Sequence, residues 1–298
     1  MLINKIGEFG LIERIKKSIK LDRTVVVGPG DDCAVIKLDK NNYQLLTADM
    51  LVEGIDFTKD TDPYLVGRKA LAVSISDIAA SAGTARYAVV SLGLKKNYAL
   101  ASVDRLIKGM LGLAKEFKIN IVGGDISRAD KLILNVAMLG VVKKKNLVLR
   151  SKAKKGDIIL VTGGLGASIK GKHLKFIPRT KEAMFLTEKF KIHAMIDISD
   201  GLAQDLGHIL KASKVGAVIY EHLIPLNSQA GGLEDALYSG EDFELLFTMA
   251  RQEAKKLLSL RKTIFHPIGE IMDHKFGFKL IDSRGKEKKA KTKGFRHF

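Results

Sequence analysis

The sequence contains no tryptophan and a single cysteine, Cys33, among its 298 residues. One cysteine excludes a disulfide framework and a four-cysteine zinc site, and it is typical of a reducing compartment. Long apolar runs are also missing: the longest, residues 132–142, is too short to cross a bilayer and contains Asn135. The amino terminus lacks the apolar segment of a signal peptide. We therefore expect a cytoplasmic protein with no membrane partner.

Acidic residues are fewer than basic ones, 33 against 50, which gives a formal net charge of +17. Most of the basic excess lies in two runs, residues 143–155 and 284–293. Neither run is interleaved with aromatic side chains, as the surfaces that bind single-stranded nucleic acids are. We interpret the excess as a solvated lysine-rich surface and expect no nucleic-acid partner. Salt-sensitive nucleic-acid binding is the alternative from a different functional class.

The distribution of apolar residues predicts a mixed α/β fold of the α+β class with two domains. We place the domains at residues 1–145 and 146–298, on either side of the middle of a basic linker over residues 143–156. Residues 67–82 are apolar almost all round and predict a buried helix, and Ser102 is the expected cap of an amphipathic helix. Short strands are expected at residues 24–27, 34–38, 43–48, 119–122, 132–142, 157–162, 243–247 and 264–271.

Carboxylates recur beside apolar segments, at Asp31, Asp32, Asp49, Asp77, Asp125, Asp197 and Asp200. Several of them have ordinary structural explanations: Gly28-Pro29-Gly30 is a good turn before Asp31, and Ser199 or Asp200 is a good helix cap. Asp77, within the buried helix, has no such explanation. A desolvated carboxylate is costly unless it is paired or bound to a metal. Oxygen ligands without a His or Cys cluster favour Mg²⁺, which commonly shares its coordination shell with phosphates.

A second glycine-rich segment, Gly166–Lys172, follows a predicted strand and matches the pattern G-x-x-x-x-G-K. A P-loop continues with Ser or Thr, which binds Mg²⁺, whereas this chain continues with His173. We therefore interpret the segment as a glycine-rich turn into a helix. Cys33 has no His close to it in the sequence, and we interpret it as a small buried residue rather than a nucleophile.

Six motifs stand out along the chain: Gly28–Ala34, Thr47–Gly54, Lys69–Ala80, Gly123–Asp125, Ile196–Leu202 and Ser239–Leu245. In content and in order they resemble the motifs of the thiamine-monophosphate kinase family. The ending Lys293–Phe298 also resembles the terminal motif of that family, so the resemblance covers essentially the whole chain. The wider group resembles aminoimidazole-ribonucleotide synthetase and includes selenophosphate synthetase and a hydrogenase-maturation protein.

The resemblance implies two aminoimidazole-ribonucleotide-synthetase-like domains and a homodimer whose N-terminal sheets join across the interface. It implies direct transfer of the γ-phosphoryl group of ATP to thiamine monophosphate, assisted by several Mg²⁺ ions and giving thiamine diphosphate. No protein nucleophile is expected, because both reacting groups are phosphates whose charges need only cations and positioning.

Positions that match the family motifs imply the site residues. The implied metal ligands are Asp32, Thr47, Ala48 (through its carbonyl), Asp49, Asp77, Asp125, Asp197 and Asp200. The implied ATP contacts are Gly124, Asp125, Arg150 and Ser199. The implied substrate contacts are Asp56, Glu241 and Phe295.

Two departures from the family pattern concern the acceptor side. The family usually has His at the position of Asp56, and the segment over residues 166–197 is about one helix shorter than is typical of the family. Another kinase or synthetase of the same superfamily, acting on a different small-molecule acceptor, is therefore the alternative function.

Overall fold

Two β-sheets and eight α-helices make up the computed structural model, which describes residues 2–295. The first sheet contains β1 (Val25–Val27), β2 (Ala34–Lys37), β3 (Asn42–Val52), β4 (Thr84–Leu94), β5 (Asn120–Arg128) and β6 (Ile133–Lys143). The second contains β7 (Asp157–Thr162), β8 (Ile192–Asp197), β9 (Gly216–Tyr220), β10 (Leu245–Ala250), β11 (Phe265–Met272), β12 (Phe278–Ile281) and β13 (Glu287–Lys289). The predicted mixed α/β fold is confirmed.

The helices lie mostly between or beside the two sheets. They are α1 (Ile3–Ser18), α2 (Pro63–Ala80), α3 (Leu100–Phe117), α4 (Lys172–Lys175), α5 (Thr180–Lys189), α6 (Leu202–Ser213), α7 (Leu233–Tyr238) and α8 (Arg251–Ser259). In the described part of the chain, no helix has the length and apolarity needed to span a membrane.

The first sheet has the strand order β1-β2-β3-β6-β4-β5, and the second β13-β12-β9-β11-β7-β10-β8. In the first sheet all neighbouring pairs are antiparallel except β4 and β5, which α3 connects. A parallel pair needs such a crossover, because the chain has to return to the same end of the sheet. The basic linker lies between the last strand of the first sheet and the first of the second, and the boundary between residues 145 and 146 stays a prediction.

Helix α2 lies at the centre of the molecule. It packs against β3 and β6 of the first sheet and against α4, α5 and β8 of the second half. This confirms the buried helix expected from its apolar sequence, although both predicted ends were wrong. The helix begins four residues earlier, at Pro63, because the Asp62 side chain accepts the amide N–H of Tyr64 at 3.0 Å.

Two further boundaries differ from the sequence prediction. Strand β3 continues past Ala48 to Val52, because β6 offers an antiparallel partner along its whole length, so Asp49 lies inside the strand. Helix α3 begins at Leu100, and the predicted cap at Ser102 was wrong. The amide of Ser102 donates to the carbonyl of Ala99 at 2.9 Å, which places this residue inside the helix.

Candidate active site

Three buried or partly buried carboxylates meet between the two halves of the chain. Asp32 follows β1, Asp77 projects from α2 and Asp197 ends β8, and each offers an oxygen within 4.8 Å of the others. The elements that carry them are far apart in sequence, so α2 and the packing of the two sheets bring them together. We call Asp32, Asp77 and Asp197 the carboxylate cluster.

Hydroxyl groups hold these side chains in place. Ser76 donates to Asp197 at 2.5 Å, and Thr47 donates to Asp77. Nearby, Ser74 donates at 2.8 Å to Asp49. Ser74 and Ser76 were missed by the sequence reasoning, although small polar residues in an otherwise apolar helix were the available indication.

Arg150 brings the positive charge that the local sequence lacked. Its guanidinium donates to Asp32 Oδ1 from the terminal nitrogen at 2.5 Å and from Nε at 3.2 Å. Its backbone N–H donates to Asp31 at 3.1 Å. The linker between the sheets therefore places the Arg150 guanidinium next to Asp32, at one side of the carboxylate cluster.

Negative charge in this region exceeds what Arg150 neutralises. Desolvation, reinforced by Asp32, raises the pKa of Asp197 to about 7. Desolvation raises the pKa of Asp49 to about 6 and, together with Asp49 and Asp197, raises the pKa of Asp77 well above its ordinary value.

The donor set fits a hard divalent cation. Among the described residues, no hydrogen-bond donor reaches the buried Oδ2 of Asp32. A buried carboxylate oxygen without a partner is costly, and a cation shared with Asp77 and Asp197 would satisfy it. Oxygen ligands of this kind suit Mg²⁺.

The other predicted metal ligands lie at different distances from the carboxylate cluster. Thr47 contacts it directly, whereas Ala48 has an exposed side chain on the opposite face of β3. Asp125 is exposed on the edge strand β5, which β6 and β4 separate from β3. Three strand spacings amount to about 14 Å, so Gly124 and Asp125 lie well away from Thr47 and Asp49 on β3 within one chain.

Asp200 belongs to a neighbouring group that the sequence reasoning did not foresee. It offers an oxygen within 4.8 Å of ligand atoms of Asp205 and His208 on α6. Asp205 is buried and accepts the backbone N–H of Asp200 at 3.1 Å and of Gly201 at 3.0 Å. The cap expected from Ser199 or Asp200 was wrong: Gly201 precedes the helix without a side-chain cap, and Asp205 in the first turn holds the two residues before the helix.

A cavity of about 610 Å³ opens beside the carboxylate cluster. The predicted substrate residues Asp56, Glu241 and Phe295 all line it, together with Asp49 and Ser199. Phe295 is held there because its backbone N–H donates to the carbonyl of Asp200 at 3.0 Å. The end of the terminal motif, residues 296–298, lies outside the described residues.

Asp56, at the position where the family usually has His, has a structural partner. Its carboxylate accepts the backbone N–H of Val52 at 2.7 Å and closes the turn after β3. Its carbonyl accepts from Lys69 at 2.7 Å, and Lys69 is fully buried and also pairs with Glu241. Lys69 was missed by the sequence reasoning, although a charge inside an apolar helix was the available indication.

Glu241 reaches the cavity from an unusual backbone conformation. Both Glu241 and Phe243 have positive φ angles, 56° and 49°. Such conformations are costly for residues other than glycine and concentrate at functional sites.

Two family models match the chain. The N-terminal domain of AIR synthase related protein matches residues 30–142, and its C-terminal domain matches residues 172–280. Among curated proteins, the chain is similar to the thiamine-monophosphate kinase of Buchnera aphidicola subsp. Schizaphis graminum, with 36% identity over 98% of this chain and 99% of the relative. It is 34% identical to that of Bacillus subtilis, over 89% of this chain and 90% of the relative.

Solved structures show the same similarity. A structure described as AaThiL complexed with AMPPCP and TMP is 29% identical, has a TM-score of 0.86 and is matched over 100% of this chain and 99% of its own. Thiamine monophosphate kinase from Aquifex aeolicus is 26% identical, with a TM-score of 0.79 over 97% of this chain and all of its own. The hydrogenase maturation protein HypE in complex with ATP, 18% identical with a TM-score of 0.74, covers 98% of this chain and 97% of its own and shares the fold.

Proposed function

Since this chain belongs to the thiamine-monophosphate kinase family of AIR synthase related proteins, we propose that it converts thiamine monophosphate to thiamine diphosphate with ATP as phosphoryl donor. The observation that carries the proposal is the cavity lined by Asp56, Glu241 and Phe295, which we call the acceptor cavity. It reaches Asp49, next to the carboxylate cluster, in a chain similar to these kinases over its whole length. We further propose that it acts in the cytoplasm, in line with its single cysteine.

Charge neutralisation is the main chemical demand of this reaction, because the donor and the acceptor are both phosphates. We propose that Asp32, Asp77 and Asp197, with Asp49 and Thr47 beside them, hold Mg²⁺ ions. Bound Mg²⁺ would neutralise phosphate oxygens and align the two reacting groups. The chain itself orients these ligands through Ser74 and Ser76 and keeps them desolvated.

Arg150 is suited to the phosphates of ATP. Its planar guanidinium matches phosphate oxygens better than an ammonium group does, and it already lies at the edge of the carboxylate cluster. Ser199 lines a second cavity together with Arg150, and it also lines the acceptor cavity. No covalent enzyme intermediate is needed, since the acceptor phosphate is itself the nucleophile.

The acceptor cavity suits a cationic heterocycle. Phe295 lines it with an aromatic ring, which can attract a thiazolium cation, and Glu241 lines it with a carboxylate that pairs with Lys69 through one oxygen. Asp56 is occupied in closing its turn, so its carboxylate has a structural role at this position. The acceptor phosphate would then lie toward Asp49, where the cavity meets the metal ligands.

We also propose a homodimer formed through the first sheet. The outward face of that sheet exposes Leu46, Met50, Tyr87, Val89 and Val122, an apolar surface that a second copy would cover. In the dimer we still propose that Gly124 and Asp125, on the edge strand, contact ATP and that Asp125 binds a metal ion. Sedimentation equilibrium should give twice the mass of one chain; a monomer at micromolar concentration would contradict the dimer.

Product analysis tests the proposed reaction. Purified protein is incubated with Mg·ATP and thiamine monophosphate, and thiamine diphosphate is separated by chromatography. We expect Mg²⁺-dependent product in equal amount to ADP. Binding of ATP without any thiamine diphosphate would instead favour the alternative acceptor, and matched reactions without Mg²⁺ serve as the control.

A further inference from the structure

His173, which stands where a P-loop has Ser or Thr, lines the acceptor cavity. It is 7% exposed and follows the glycine-rich segment 166–172. Asp242 holds that segment, because the backbone N–H of Gly166 donates to it at 3.0 Å and the hydroxyl of Ser168 donates to it as well. The segment is therefore a fixed wall of the acceptor cavity, and it positions the imidazole.

The tautomer of His173 follows from its first contact. Its Nδ1 lies 2.6 Å from the carbonyl oxygen of Ser168. A carbonyl oxygen only accepts, so Nδ1 carries the proton, and in the neutral ring Nε2 has a free lone pair. Burial lowers the pKa of His173; among the charged groups that face it, Lys69 also lowers this pKa whereas Glu241 raises it.

A second acceptor lies beside that lone pair. Nε2 of His173 is 3.9 Å from Oε2 of Glu241, while Lys69 engages the other oxygen, Oε1. Two acceptors at this distance have no hydrogen to share, so each is available to a donor from the cavity. A group with two hydrogens on one atom can satisfy both, whereas a carbonyl oxygen would be repelled by both.

We propose that His173 Nε2 and Glu241 Oε2 together recognise an exocyclic amino group on the ring of the acceptor, which makes His173 a specificity-determining residue. The inference rests on the proposed function, because thiamine monophosphate carries such an amino group on its pyrimidine. Its oxo analogue, oxythiamine monophosphate, presents a carbonyl oxygen at the same place and is rejected by the pair.

The test compares these two acceptors in three variants by their kcat/KM. The unaltered protein is expected to prefer thiamine monophosphate by about 100-fold or more, since a site that hydrogen-bonds an N–H discriminates strongly against its loss. In His173→Leu the KM for thiamine monophosphate rises at least about tenfold and the preference falls by about tenfold, because only Glu241 Oε2 remains to accept the amino group. His173→Gln, which returns an acceptor near the Nε2 position, recovers part of the preference. Lys175→Leu, an exposed change on the same short helix, keeps both values.

Each outcome separates the inference from the proposed function. The KM for ATP should stay unchanged in every variant, and thermal unfolding reports whether each variant is folded. Equal turnover of the two acceptors by the unaltered protein, or an equal loss for both acceptors in His173→Leu and His173→Gln, would overturn the role of His173 and leave the kinase activity intact. Absence of product from thiamine monophosphate in the unaltered protein would refute the function itself.

Discussion

Asp77 is a carboxylate inside a buried helix, and its surroundings disfavour its charge in the absence of a cation. Replacing it with Asn keeps the shape and the hydrogen bond from Thr47 but removes a metal ligand. We expect Asp77→Asn to lower Mg²⁺-dependent kcat/KM by about 100-fold or more, because several kcal/mol of charge stabilisation is lost. The melting temperature of the metal-free protein should not fall. The exposed Asp104→Asn is the matched control, and normal turnover by Asp77→Asn would contradict the metal site.

At the scale of single residues, the carboxylates were predictable and their partners were not. An acid within an apolar helix stands out in any sequence, which is how Asp77 was found. Lys69 lies in the same helix and was missed, because its role depends on an ion pair with Glu241, which is 172 positions away in the sequence. Asp56 drew attention as a departure from the family, and only its contact with Val52 explains how the turn accommodates it.

Helices α2 and α3 pack backbone against backbone through two glycines. A Cβ added at Gly109 would lie 1.9 Å from the carbonyl oxygen of Tyr64, and one added at Gly67 would lie 2.0 Å from that of Leu106. We expect Gly109→Ala to lower the free energy of unfolding by about 1–3 kcal/mol, because the helices must separate. This loss should outweigh the gain in helix propensity of about 1 kcal/mol.

Gly112 on the same helix provides the control. Its added Cβ would meet only the Tyr64 hydroxyl, at 3.4 Å, so Gly112→Ala should be neutral or slightly stabilising. Urea unfolding of both variants measures the difference. Equal stabilities would show that the close approach of the helices does not matter. The sequence predicted both helices from their patterns, but the contact between them depends on where α2 lies on the sheet.

Across the whole molecule, the buried carboxylates link stability to pH and to Mg²⁺. Their pKa values rise from 3.8 to about 6 at Asp49 and to about 7 at Asp197. At a pH between 3.8 and these raised values, the folded state therefore binds more protons than the unfolded state. These two groups therefore lower the stability of the metal-free protein as pH rises from about 4 to 7. Mg²⁺ competes with those protons, so the stabilisation that it provides should grow over the same range.

Thermal unfolding at pH 5, 6, 7 and 8, with Mg²⁺ or with a chelator, measures this linkage. The increase in melting temperature caused by Mg²⁺ should be small at pH 5 and largest at pH 8. In Asp77→Asn the increase should shrink at every pH. An increase that is the same at pH 5 and pH 8 would contradict the assignment of the carboxylate cluster as the Mg²⁺ site.

The mixed α/β class, the buried helix and the acids of the carboxylate cluster could be predicted from the sequence, because apolar periodicity and an unexplained charge are local properties of a chain. Folding was needed to show that Asp32 pairs with Arg150, 118 positions away, that Asp125 lies on an edge strand, and that His173 faces Glu241. These pairings depend on how two sheets pack around α2. Local sequence does not encode the geometry of such contacts, since each is formed by segments that meet only after folding.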